Sequence, residues 1–165
     1  MYFKIAGYMT LAAVAAKLLL FLIGLPQQEM AIYTMFINLL VILVGSFFTV
    51  RGYRLATPGS TLKSEFKAGM RSVAIFSLLL SVFVLVYYNY IDTHYFEFMI
   101  DDRMALAEKE LINNPDINLE QVRKTGEMLF TPRVHATITL FGLTAAGAVY
   151  TLLLVVLTRK VLKLR

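Results

Sequence analysis

Apolar residues in this chain run in four long windows, 5–23, 32–50, 73–90 and 136–157, and the polar residues collect between them. At 1.5 Å per helical residue, each window reaches across a hydrocarbon core of about 30 Å. Only one formal charge, Lys17, falls inside any window. Lipid offers unpaired backbone groups no partner, so each window is predicted to be a transmembrane α-helix. The first is read as a retained helix and not a cleaved leader. Apolar sequence continues past the alanine-rich stretch 12–16 to Leu25, whereas leader cores run only about 7–15 residues.

The links between windows carry their own signals. Gly24, Leu25 and Pro26 predict a tight turn that makes the first two helices antiparallel neighbours. Thr57-Pro58-Gly59-Ser60 predicts a type II turn, with proline presetting the first central position and glycine supplying φ > 0 at the second. Leu62, Phe66, Met70 and Val73 then recur at helical spacing, with Lys63, Lys67 and Arg71 on other faces, an amphipathic lead-in at the membrane interface.

Segment 91–131 is the one sizeable non-membrane part. Phe96, Ile100, Met104, Ala107 and Leu111 form a stripe there, and the third helix is expected to continue through Ile91 into it. Asn113-Asn114-Pro115-Asp116 ends that helix, and Asn118 caps a second one with Gln121 at N3. Thr131-Pro132 opens the last helix as N-cap and N1 proline. The expected architecture is one all-α membrane domain over 1–165. It has four transmembrane helices and an amphipathic helical hairpin at 91–131, on the outer side, between the third and fourth.

Charge sets the direction of threading. Lys4, Arg51, Arg54, Lys63, Lys67, Arg71, Arg159, Lys160, Lys163 and Arg165 share one side with a single acid, Glu65. The other side has no basic residue in its short link, and five basic against nine acidic residues in 91–135. Basic residues gather in cytoplasmic loops, so both termini are predicted to be cytoplasmic. Arg51, Arg54, Lys63, Lys67 and Arg71 make up a basic cytoplasmic interface that faces the lipid bilayer. The net charge of +5 is therefore a topology signal, and nucleic acid is not an expected partner.

Composition agrees. Apolar residues make up 58% of the 165 residues and charged ones 16%, against about 45–50% and about 25% in soluble domains. That excludes a soluble globular enzyme, a disordered tail and, with no cysteine, a disulfide scaffold or catalytic thiol. No phosphate loop, HExxH or nucleophile elbow is present. We expect no enzyme activity, catalytic residue, cofactor or metal site. His94, Glu97, Asp101 and His135 make only a loose set, short of the converging ligands that a metal needs.

Two groups of residues inside the windows merit weight. Lysine near a helix centre costs about 2.5–3.5 kcal/mol to insert, and Lys17 shares a face with Thr10, Ala13, Val14, Phe21 and Gly24. At matching depth lies Asn38, on a stripe with Thr34, Gly45 and Thr49; Ser81, Tyr88 and Thr139 offer hydroxyls, and Asp92 a carboxylate at the rim. An intramembrane polar cluster of Lys17, Asn38, Ser81, Tyr88 and Thr139 is one reading. Ordinary packing of polar membrane helices, with Lys17 snorkelling outward, is the other. The second group is a packing seam on the last helix, where Gly142 and Ala146 form a small-xxx-small pair with Thr144 beside them.

Several short motifs carry a resemblance. They are Gly24-Leu25 in the first turn, Phe66-Lys67-Ala68-Gly69 leading into the third window, and Tyr90-Ile91-Asp92-Thr93-His94-Tyr95-Phe96 at its exit. A charged hairpin and a small-residue fourth window ending in Arg159-Lys160 complete the set. With these the chain resembles an uncharacterised family of small four-helix inner-membrane proteins of Bacteroidota, defined by a domain of unknown function. Related sequences often have proline after Ile-Asp or Ile-Thr, where this chain has Thr93 and His94. The resemblance implies the inner membrane of a Gram-negative cell and brings no activity. The expected function is action by association, as a homo-oligomer or an accessory subunit of a membrane complex. The alternative is a small transporter or permeation unit built on Lys17 and Asn38.

Overall fold

The computed structural model describes residues 2–112 and 114–160. Asn113 of the helix-ending run and Lys163 and Arg165 of the basic end lie outside the described residues. The chain forms six helices: α1 (Tyr2–Ile23), α2 (Gln27–Ala56), α3 (Leu62–Tyr90), α4 (Tyr95–Leu111), α5 (Leu119–Leu129) and α6 (Pro132–Lys160). No strand occurs among the described residues. Helices α1, α2, α3 and α6 are long and apolar enough to cross a membrane.

Each of these helices outruns its apolar window, because their polar ends remain helical where water or headgroups can satisfy them. The turns follow local chemistry. Gly24 adopts φ 73° between α1 and α2, with its N–H donating to Phe21 O at 3.0 Å. Gly59 adopts φ 80°, and Ser60 N–H closes the turn onto Thr57 O at 3.1 Å. The Asn118 side chain accepts from Gln121 N–H at 3.0 Å and caps α5. Thr131 Oγ1 accepts from Val134 N–H at 3.3 Å ahead of Pro132 and caps α6.

The chain divides into two compact units, 1–81 with 139–165, and 82–138. In the first unit α1 packs on α2. The closest approaches fall at glycines: a Cβ on Gly45 would lie 2.2 Å from Met9 Sδ, one on Gly69 2.3 Å from Thr151 Cγ2, and one on Gly147 2.2 Å from Val73 Cγ1. Gly142, by contrast, is exposed, and a Cβ there would meet nothing within 4 Å. The interior glycine of the last helix is thus Gly147.

In the second unit the expected continuous helix through Ile91 is corrected: α3 ends at Tyr90 and α4 starts at Tyr95. No proline or glycine breaks it. The Tyr87 carbonyl accepts from both Ile91 N–H, at 2.8 Å, and Asp92 N–H, at 3.0 Å, which closes the helix with a wide turn. A straight helix would set Tyr88 and Phe96 about 12 Å apart along its axis. After the turn their rings stand 5.0 Å apart and Tyr88 and Tyr95 4.6 Å apart, a buried aromatic contact that favours the break. Helix α4 then packs on α5, with Ile100 against Gly126. Leu129, near the end of α5, is 52% exposed.

Candidate functional site

The most elaborate arrangement of polar groups in the first unit is centred on Glu65, in the first turn of α3. Its side chain is fully buried. Arg54, near the end of α2, presents its guanidinium edge to the carboxylate, with Nε 3.0 Å from Oε1 and Nη2 2.7 Å from Oε2. Arg159, near the end of α6, does the same from another side, with Nη2 2.6 Å from Oε1 and Nε 3.0 Å from Oε2. The Ser60 hydroxyl donates to Oε1 at 2.6 Å. Arg54 Nη2 also donates to Thr158 Oγ1 at 2.8 Å, and Arg159 Nη2 to the Ser60 carbonyl.

Paired N–H groups matched to two carboxylate oxygens are among the strongest contacts available to side chains. Here one carboxylate takes two such forks, so the ends of α2, α3 and α6 are tied at a single point. Two guanidiniums against one carboxylate leave one net positive charge in the cluster.

A column of hydroxyls extends from this cluster along the same three helices. The Thr49 and Ser72 oxygens lie 3.0 Å apart, and each is within 2.8 Å of a carbonyl of its own helix, Gly45 O and Gly69 O respectively. One step further in, Thr151 Oγ1 lies 3.4 Å from Ser46 Oγ. The buried row of α3 therefore reads Glu65, Gly69, Ser72, Phe76, while Leu62 from the predicted apolar face is 41% exposed. Polar groups inside and apolar groups outside is the arrangement that lipid permits.

The basic interface residues separate into two groups. Arg51, Lys63, Lys67 and Arg71 are exposed, whereas Arg54 is turned inward onto Glu65. Arg71 places its guanidinium 5.6 Å from the Tyr2 ring centre, and Tyr2 stands 6.5 Å from Tyr53. These contacts gather α1, α2 and α3 at one corner.

The residues of the intramembrane cluster are placed as follows. Lys17 is 6% exposed and lies with Ala6, Met9 and Ala13 on the buried side of α1. Asn38 and Thr139 are half-buried. Ser81 is buried, with its hydroxyl on Leu78 O at 2.9 Å. Tyr88 belongs to the second unit, where its ring packs on Tyr95, Phe96 and His135. Asp92 is buried beside the Tyr87 hydroxyl. Of the seam residues, Ala146 and Thr144 are half-buried, and the Thr144 hydroxyl donates to Leu140 O at 2.7 Å.

Outside the spanning helices, His94 Nδ1 lies 3.0 Å from Glu97 Oε2 on an exposed face, and this hydrogen bond raises the imidazole above its ordinary pKa. Among the described residues no three His, Asp or Glu side chains stand close enough to hold a metal ion.

Glu65 is not among the candidate site residues that the sequence singles out. One signal pointed to it: it is the lone acid among ten basic residues on its side of the predicted membrane.

Residues 4–160 match the sequence family described as protein of unknown function, DUF4199. The chain belongs to the DUF4199 family. The DUF4199 segment takes in the whole of α2 to α6, so Arg54, Glu65 and Arg159 all lie within it, whereas Tyr2 precedes it. No curated protein and no solved structure matched the chain.

Proposed function

We propose that this DUF4199 protein is a non-enzymatic, four-span protein of the inner membrane of a Gram-negative bacterium, and that it works by association, as a homo-oligomer or as an accessory subunit. On this reading α1, α2, α3 and α6 cross the bilayer with both termini cytoplasmic, and the α4–α5 hairpin lies on the outer side. The basic excess around α1, the 57–61 turn and the end of α6 supports that direction.

The observation that carries the reading is the contrast between glycines. Gly45, Gly69 and Gly147 are closed by neighbouring side chains, whereas Gly142 lies bare on an exposed face of α6. Lipid gains nothing from a bare glycine, but a second helix gains close backbone approach. The test is the mass of the Gly142→Leu variant by light scattering in detergent. The reading expects a wild-type complex larger than one chain and a variant reduced to a single chain. Equal masses for the two would contradict the homo-oligomer built on Gly142.

A second reading, a permeation unit built on Lys17 and Asn38, is favoured by the burial of a lysine within an apolar helix. Lys17→Met in proteoliposomes separates the two. Loss of an ion or proton flux with assembly intact supports permeation, and an unchanged flux rejects it.

A further inference from the structure

Glu65 neutralises part of the basic end of the first unit and leaves the rest uncovered. Arg54 and Arg159 turn inward, with their side chains 15% and 34% exposed. On the opposite side of α3, Lys63, Lys67 and Arg71 follow one another at four-residue spacing, and all three are exposed. Neither lysine makes an ion pair among the described residues. The row spans about 12 Å of helix and ends, at Arg71, two residues before the apolar window 73–90, where headgroups give way to hydrocarbon.

Its inner end is built and not merely charged. Arg71 stacks over Tyr2, and Tyr53 backs that ring. A guanidinium attracted over a ring face still carries a fork of N–H groups, which matches two oxygens of a tetrahedral phosphodiester. Leu78, two turns beyond Arg71 on the same face of α3 and 55% exposed, is apolar surface for an acyl chain inside the window.

We propose that Arg71, Lys67 and Lys63, walled by Tyr2 and Tyr53, bind the headgroup of an anionic phospholipid of the phosphatidylglycerol type. The inference rests on the membrane reading above but not on the association reading. A lipid is the occupant because the row meets the apolar window end to end, so one molecule can place its phosphate on Arg71 and its chains against α3.

The test uses the full chain in a neutral detergent, titrated with short-chain phosphatidylglycerol, short-chain phosphatidylcholine and inorganic phosphate, with binding followed by thermophoresis. Phosphatidylglycerol is expected to bind and phosphatidylcholine is not. Each basic residue near a membrane surface contributes about fivefold, so Lys63→Gln with Lys67→Gln weakens binding about 25-fold. Arg71→Lys keeps the charge but loses the stacked fork, and it too weakens binding. Equal affinity for the two lipids, or binding unchanged in either variant, would overturn the proposal. Phosphate binding as tightly as the lipid would overturn the lipid as occupant. A chain that stays folded and monodisperse without detergent would sink the membrane reading itself, a separate failure.

Discussion

The guanidinium of Arg159 lies edge-on to the carboxylate of Glu65, with Nη2 at 2.6 Å and Nε at 3.0 Å, although 94 residues separate the two in the chain. Arg54 repeats the geometry from α2. Removing the shared carboxylate leaves two guanidiniums facing each other in a buried site. Breaking a buried pair in this way costs about 3–5 kcal/mol, and we expect that loss for Glu65→Ala in thermal unfolding followed by circular dichroism. Replacing all three, Arg54→Met, Glu65→Leu and Arg159→Met, leaves no orphaned charge and recovers most of it. A triple variant less stable than Glu65→Ala would show that the three groups gain more from each other than their desolvation costs.

Two glycines of α6 should respond with opposite sign. A methyl on Gly147 runs into Val73, and such overpacking costs about 1–3 kcal/mol. Gly142→Ala meets nothing within the chain and, compared as single chains, gains up to about 1 kcal/mol of helix propensity. Val73→Ala should restore the Gly147→Ala variant. Melting curves of the three proteins in one detergent check the order.

These two features mark the boundary of what the sequence discloses. The apolar windows, the turns at Gly24 and Gly59 and the caps at Asn118 and Thr131 are local, since each depends on residues within a few positions, and the helices begin and end accordingly. The lock on Glu65 is not local. Arg54 and Arg159 look like any other basic residues beside a membrane until α2 and α6 are brought alongside α3. Nor does spacing tell Gly142 from Gly147, because both sit among small residues and only the position of Val73 decides between them. The break at Ile91 is hidden for a similar reason. It is made by Asp92 N–H reaching the Tyr87 carbonyl and by rings that meet only after the turn. The sequence left Lys17 either facing the bundle or snorkelling outward, and its burial on α1 depends on neighbours that spacing does not show.

His94 offers a pH test outside the membrane. Its hydrogen bond to Glu97 favours the imidazolium, so its native pKa lies above the ordinary histidine value. A raised native value contributes stability below the ordinary histidine range, and that contribution fades as pH rises through the native pKa. The pair is fully solvated and its effect on stability is small. The shift itself should be visible in the histidine ring signals by NMR, and Glu97→Gln should lower it. A titration unaffected by Glu97→Gln would show that the contact does not persist in solution.

Helix α5 is short and relies on its cap. Asn118→Ala removes the acceptor for Gln121 N–H at a cost of about 1 kcal/mol. Amide exchange at Gln121 and Val122 should accelerate about fivefold, while exchange in α3 stays unchanged. Equal protection in both proteins would mean that packing on α4 alone holds the helix.

The threading of the four apolar helices can be measured directly because the chain contains no cysteine. Single cysteines at Thr57, between α2 and α3, and at Asn114, between α4 and α5, can each be offered a membrane-impermeant maleimide in intact cells. Our account predicts that Thr57→Cys is labelled only after the membrane is opened and that Asn114→Cys is labelled at once. Labelling of Thr57→Cys in intact cells, or of both positions alike, would contradict it.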